Sequence, residues 1–375
     1  MAESLYMKPI VEPGRNLSKD EQARYSRHIL IPEIDLIGQM RIVNAKVLCI
    51  GAGGLGSPTI MYLAAAGVGE IGILDFDRVE VSNLQRQIIH TQSDLGKSKA
   101  QSAKEKVLAL NPNIKVNLYE LRLDASNALE IFRDYDLIID GTDNFATRYL
   151  INDAAAFLGL PYIWGSIYRF DGQASVFWSQ TGPCYRCLHP TPPPLGSVPS
   201  CAEGGVLGVL CGTIGSLQTN EAIKLITGVG ESLLGSLLIF DSIETTYRKI
   251  PVKKSAECPI CNGTQKELLP DYEAFCGISE SISPEQLQAI SNYELIDVRE
   301  PEEHQIKSIP NSVLIPKGKF EDGSAFVMLP RDRQIILYCQ SGIRSGKCLE
   351  ILKNSGFTNS THLKGGILAW EASQR

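Results

Sequence analysis

Gly51-Ala52-Gly53-Gly54-Leu55-Gly56 narrows what this chain can fold into more than any other run, because of what flanks it. Before it lies an apolar stretch of strand length, Lys46–Ile50, and after it the small-residue stretch Ser57–Ala66 has helical length. A strand, a glycine turn and a helix in that order open a βαβ unit. There glycine lets the backbone approach phosphate oxygens, and the helix N-terminus supplies N–H donors. Ile71–Asp75 reads as the next strand, and Asp75 ends it at about the spacing of an acid that holds a ribose. The run says nucleotide without saying which, and a purely structural tight turn is the bland alternative.

The alternation continues along the chain. Ser18-x-x-Glu21 is a capping box opening a helix, Ser98–Leu110 is a helix ended by Asn111-Pro112, and Val116–Leu121 and Leu137–Asp140 are strands. Strands alternating with helices imply an α/β fold with a doubly wound parallel sheet. At 375 residues the chain exceeds the size at which one core stops growing, so two domains are expected. The segment 262–283 is rich in turn residues and weakly periodic. It divides the chain into a domain at 1–270, a linker at 271–282 and a smaller α/β domain at 283–375. In the latter, Ser283-Pro284 starts a helix, Leu295–Val298 and Gln334–Cys339 are strands, and Arg344–Lys353 is a helix stopped by Gly356.

A formal net charge of −6 gives no general basic field, so direct binding to nucleic acid or to an anionic membrane is not expected. The first residues lack the basic start and apolar core of a secretory signal, and the most apolar segment, Gly204–Leu217, is too short and glycine-rich to span a bilayer. Ten cysteines without a signal peptide read as metal ligands and reactive thiols of a reducing compartment, the cytoplasm.

Two cysteine pairs carry the metal signal. Cys184-x-x-Cys187 and Cys258-x-x-Cys261 supply the four thiolates of a closed structural Zn²⁺ site, whereas a single pair would equally suit a redox dithiol. Around the glycine loop, Asp75 and Asp77 are followed by Ser82, Asn83, Leu84, Gln85 and Arg86, then by Lys99. Arg and Lys neutralise phosphate charge, which suits a polyphosphate better than a nicotinamide. Asp143 and Asn144 follow the Leu137–Asp140 strand, where ligands sit in an open α/β sheet, and Asp143 is placed to hold Mg²⁺. Near the C-terminus, Cys339-Gln-Ser-Gly-Ile-Arg344-Ser345 puts a thiol between a strand end and a helix start. Backbone N–H groups, the helix dipole and Arg344 all favour a thiolate there. Cys49, Cys211, Cys276 and Cys348 read as small packed hydrophobes.

Residues from Leu17 to about Thr264 resemble the MoeB/ThiF adenylating enzymes, relatives of the ubiquitin-activating enzymes. The likeness rests on Arg24-Tyr-Ser-Arg27, the glycine loop, Asp75-Phe-Asp77, Ser82–Gln87, Lys99, Thr142-Asp143-Asn144 and both cysteine pairs. From about Ser283 the chain is similar to a rhodanese-like sulfurtransferase, including Leu295-Ile-Asp297-Val-Arg299-Glu and the Cys339 loop, and the fusion resembles the MoeZ/MoeBR type. The resemblance implies ATP bound by Gly53, Gly54, Asp75, Asp77, Asn83, Arg86, Lys99 and Asp143, and adenylation of the C-terminal glycine of a small ubiquitin-like sulfur carrier. A Cys339 persulfide, loaded by a donor such as a cysteine desulfurase, would then make the thiocarboxylate. It further implies that Arg27 reaches the ATP site of a partner in a homodimer, and that Cys201 forms a thioester or resolves an acyl disulfide. The competing expectation is an NAD-dependent dehydrogenase with a regulatory rhodanese module, which rests on the glycine run and Asp75 alone.

Overall fold

The computed structural model describes residues 7–193, 205–276, 281–357 and 359–374. They form two compact units, the first ending at Tyr272 and the second starting at Glu273.

The first unit is built on one eight-stranded sheet. Its strands are β1 (Lys46–Ile50), β2 (Glu70–Leu74), β3 (Lys115–Tyr119), β4 (Leu137–Asp140), β5 (Tyr162–Tyr168), β6 (Asp171–Phe177), β7 (Ser236–Asp241) and β8 (Thr246–Pro251), in the order β3-β2-β1-β4-β5-β6-β7-β8. The first five pair in parallel, as the sequence leads one to expect. The last three are joined antiparallel, so the sheet is mixed. β1 and β4 are covered on both faces, which is why they read as unbroken apolar runs rather than alternating ones. β8 is exposed at every residue and carries no such pattern.

The chain winds outward from β1 in both directions, so the ends of β1 and β4 form the switch point where such sheets bind ligands. Two helices pack closely there. The Gly56–Ala66 helix leaves the glycine loop, and a Cβ on Gly56 would run into the Gly51 carbonyl oxygen. Behind it lies the Gly208–Thr227 helix, whose backbone approaches so near that Thr59 Oγ1 reaches the Gly215 carbonyl at 3.1 Å. The apolar stretch enters this largely buried helix at Gly208, and among the described residues no helix is long and apolar enough to cross a membrane.

The second unit carries β9 (Ser281–Ile282), β10 (Tyr293–Asp297), β11 (Val313–Leu314), β12 (Gln334–Tyr338) and β13 (Ser360–Leu363) in one parallel sheet ordered β11-β10-β12-β13-β9. Ser283 caps the Pro284–Ala289 helix through a reciprocal box with Gln286. The stretch read as a bare linker, 271–282, is structured in part. Tyr272–Phe275 is a helical turn whose Tyr272 hydroxyl donates to buried Asp153, and β9 pairs with β13. Its turn-rich composition hid two short ordered pieces, because neither is long enough to show a period.

Candidate active sites and metal centre

At the switch point, the sequence builds a candidate nucleotide site from strand ends. Asp75 follows β2 and is 8% exposed. Its two oxygens accept the N–H groups of Ala52, in the glycine loop, and of Asp77, each at 2.8 Å. The acid therefore fixes the shape of the loop. Burial pushes its carboxyl above the usual range, and Lys99 offsets part of that rise. Lys99 opens the Lys99–Leu110 helix capped by Ser98, and its Nζ meets Asp77 Oδ2 at 2.9 Å. Burial opposes its charge, but Asp75 and Asp77, with a contribution from Asp143, outweigh that and hold the ammonium above the usual lysine range. One buried cation thus faces three carboxylates from two strand ends, at the place where a phosphate chain with its own metal would add further charge.

The 81–87 segment lies on the same rim. Asn83 is buried and its Oδ1 accepts the Glu80 N–H at 3.1 Å, while Arg86 Nη1 donates to the Ser82 carbonyl at 3.0 Å. Ser82 and Gln85 are exposed and Leu84 half-buried. Gln87, beside Gly53, has a buried Oε1 with no hydrogen-bond partner. A buried acceptor left open in a polar crevice suits a ligand donor. After β4, Asp143 is exposed, whereas Asn144 is used by the fold itself: its Oδ1 caps the Phe145–Leu158 helix by accepting the Thr147 N–H at 2.9 Å. Sequence spacing could not separate these neighbours. Arg27 is exposed, and its side chain makes no hydrogen bond or ion pair among the described residues.

The two cysteine pairs, 74 residues apart in sequence, come together. Sγ–Sγ distances are 3.9 Å for Cys184–Cys187, 3.4 Å for Cys184–Cys258 and 3.5 Å for Cys187–Cys261, and all four sulfurs lie within 4.8 Å of one another. A zinc ion with Zn–S bonds of about 2.3 Å in a regular tetrahedron sets its sulfurs about 3.8 Å apart. The cage fits. The Ser255 N–H points at Cys187 Sγ at 3.4 Å, the kind of donor that steadies a ligating thiolate. A second anchor stands beside it, where Arg186 makes a forked ion pair with fully buried Asp153 at 2.7 and 2.8 Å.

In the second unit, Cys339 follows β12 at the sheet centre and leads into the Ile343–Asn354 helix. Gly342 takes φ +93°, a backbone that favours glycine, and its N–H donates to Cys339 Sγ at 3.2 Å. Arg344 does not stand as a lone positive charge beside the thiol. It forks onto Glu303 at 2.6 Å on both oxygens, a carboxylate 41 residues away in sequence that sequence reading missed. Nor does the loop present its thiol to solvent, because Cys339 is 0% exposed. Arg299 braces the loop from β10. It forks onto fully buried Asp297 and donates to Gln340 Oε1 at 3.2 Å.

His362, on β13 beneath the loop, is buried. That pushes it down to about 4, with the polar Gly342 backbone nearby working the other way. Between about 6.5 and 4 the unfolded chain binds this proton and the folded chain does not, so stability rises with pH across that window and is lost as pH falls through it. The shift corresponds to about 3 kcal/mol. Denaturant unfolding of the full chain at pH 7 and pH 4.5 is expected to show this loss in the second unit, with a shallower pH slope in His362→Asn; an equal slope in both would contradict it.

Cys49, Cys211, Cys276 and Cys348 are buried as expected, and burial pushes the Cys348 thiol up to about 12. Cys201 lies outside the described residues.

A polar crevice at a switch point and, in a separate domain, a cysteine-bearing strand–loop–helix suit an adenylating enzyme joined to a sulfurtransferase domain, and the comparisons show that class. Residues 25–260 match the ThiF family and residues 283–373 the rhodanese-like domain, so the chain belongs to the ThiF family and carries a rhodanese-like domain after it. It is 52% identical to the probable adenylyltransferase/sulfurtransferase MoeZ of Mycobacterium tuberculosis, over 98% of this chain and 97% of that one. It is also 52% identical to the sulfur carrier protein adenylyltransferase of Thermus thermophilus, over 70% of this chain and 98% of that one. Identity to the adenylyltransferase and sulfurtransferase MOCS3 of Drosophila grimshawi is 40%, over 95% and 85%. Among solved structures, E. coli MccB with ATP superposes with a TM-score of 0.58 at 24% identity, over 67% of this chain and 77% of that one, which shows the shared fold. The chain is an adenylyltransferase and sulfurtransferase, and the dehydrogenase expectation finds no support.

Proposed function

We propose that this enzyme adenylates the C-terminal glycine of a small ubiquitin-like sulfur carrier with ATP and then converts it to a thiocarboxylate through a persulfide on Cys339. The observation that carries the reading is the pairing, in one chain, of the Lys99–Asp75–Asp77–Asp143 crevice with the Cys339 loop. A carboxylate is inert to sulfur until it has a leaving group, which the first half would supply and the second would use.

In the first step the carrier carboxylate attacks the α-phosphorus of ATP, pyrophosphate leaves, and an acyl-adenylate results. Gly53 and Gly54 give the phosphates access to backbone N–H groups, and Lys99 and Arg86 take up charge that builds on the phosphoryl oxygens. Asp143 and Asp77 would hold Mg²⁺, which when bound would neutralise phosphate charge. Arg27, exposed and uncommitted, is suited to act on the crevice of a second copy in a homodimer. The persulfide sulfur on Cys339 then attacks the activated carbonyl and expels AMP, leaving an acyl disulfide. A thiolate, for which Cys201 is the candidate, attacks the Cys339 sulfur and releases the thiocarboxylate; a thiol reductant restores the resulting disulfide. Cys184, Cys187, Cys258 and Cys261 would hold Zn²⁺ as a structural cross-link, with no open position for chemistry.

The test is exchange of labelled pyrophosphate into ATP on adding a Gly-Gly-ending carrier, followed by mass measurement of the carrier C-terminus; no carrier-dependent exchange would refute the reading. Arg27→Ala is expected to lower exchange about 100-fold or more while ATP affinity changes less than about threefold, because a finger arginine acts on transition-state charge. Equal losses in both would assign Arg27 to ground-state binding instead.

A further inference from the structure

Beneath the Cys339 loop, two polar side chains are buried and make no ion pair among the described residues. Ser345, in the first turn of the Ile343–Asn354 helix, is 0% exposed, and His362 on β13 is 1% exposed. Ser345 Oγ lies 3.6 Å from Cys339 Sγ, 3.2 Å from His362 Nδ1 and 3.1 Å from the Gly342 carbonyl oxygen. The remaining ring nitrogen of His362, Nε2, is buried without a hydrogen-bond partner.

That vacancy fixes the tautomer. A neutral imidazole carries one N–H, and a buried N–H with no acceptor costs more than a bare lone pair, so the hydrogen belongs on Nδ1. Nδ1–H then donates toward Ser345 Oγ. The serine has a single hydroxyl hydrogen and two acceptors in reach, Cys339 Sγ and the Gly342 carbonyl oxygen. With the histidine as donor on its other side, that hydrogen is free to turn to the sulfur whenever negative charge builds there.

We infer that Ser345 and His362 are positioning residues for sulfur transfer: His362 orients the Ser345 hydroxyl so that, with the Gly342 N–H, it supplies a second donor to the Cys339 sulfur. The inference rests on the sulfurtransferase reading above and adds residues to it. In the step concerned, the Cys339 thiolate attacks the terminal sulfur of a donor persulfide R–S–S–H. The donor S–S bond breaks, its electron pair leaves on R–S⁻, and Cys339 carries –S–SH. Negative charge begins on the Cys339 sulfur, where both donors point. The other charged groups facing the loop are already committed, Arg344 to Glu303 and Arg299 to Asp297.

The test uses the full chain and reads the Cys339 peptide by mass spectrometry after timed exposure to a small thiol reagent, methyl methanethiosulfonate, across pH. Single-turnover sulfur uptake from thiosulfate is measured alongside. Ser345→Ala is expected to slow both reactions about tenfold and to move the midpoint of methyl-disulfide formation to higher pH, with Ser345→Thr restoring most of the rate. His362→Asn, whose amide N–H stands near the place of Nδ1–H, is expected to retain more rate than His362→Leu. An unchanged rate and pH midpoint in folded Ser345→Ala would overturn the inference, as would equal loss in Ser345→Ala and Ser345→Thr, which marks packing. Should His362→Leu fail to fold, the serine pair decides alone. The thiol reagent needs no carrier, so wild-type protein that takes up no sulfur would sink the sulfurtransferase reading while the thiol-modification series still judges Ser345.

Discussion

Cys339→Ala is expected to keep carrier-dependent ATP–pyrophosphate exchange within about twofold of wild type and to lower thiocarboxylate formation by at least about 100-fold. The two effects separate because activation needs only the crevice at the ends of β1, β2 and β4, while sulfur delivery needs the sulfur that accepts the Gly342 N–H in the other unit. The thiol is 0% exposed at rest, so slow labelling of native protein by bulky reagents is expected, with small reagents faster. Mass measurement of the carrier after reaction with ATP and a persulfide donor decides the matter. Thiocarboxylate at the wild-type rate from Cys339→Ala would mean that sulfur does not pass through this loop.

The second large effect concerns the four-thiol cage. Cys184→Ser and Cys258→Ser are each expected to lose bound zinc and about 3–5 kcal/mol of stability in the first unit, which lowers its melting temperature by about 10 °C. Structural zinc is coupled to folding because the unfolded chain lacks the preformed site, and here the ligands join segments 74 residues apart. Strong chelation of wild-type protein is expected to produce the same shift, and a chelated cysteine variant no further one. Metal analysis that finds no zinc in well-folded native protein would refute this. Adenylation by properly folded variant at low temperature is expected to persist, since the cage offers no open coordination position.

Much of the fold was legible because its signals are local. β1 and β4 have the bounds read from sequence, and the Lys99–Leu110 helix begins one residue later than expected because Ser98 is its cap. The Ser18 and Ser283 boxes fall where their residues pointed. Each of these depends on burial or hydrogen bonding within a few residues of itself. The antiparallel half of the sheet was not legible. β8 is exposed throughout and has no alternation to show, and β5–β7 find one another through registry across the chain.

The candidate sites divide in the same way. From the sequence alone came the glycine loop after β1, the acids after β2 and β4, the two Cys-x-x-Cys pairs and the cysteine between strand and helix, because each is a chemical type at a fixed short spacing. The tertiary structure alone decided what those groups do for one another. It closed the four thiols into one cage, spent one oxygen of Asp75 on the glycine loop and the other on Asp77, and turned Asn144 into a helix cap. It also matched Arg344 with Glu303, buried Cys339, and set Ser345 and His362 beneath it. The physical reason is that a side chain's partner and its exposure to water depend on elements far apart in sequence. Local propensity specifies those elements singly, but only their packing brings the groups within hydrogen-bonding distance.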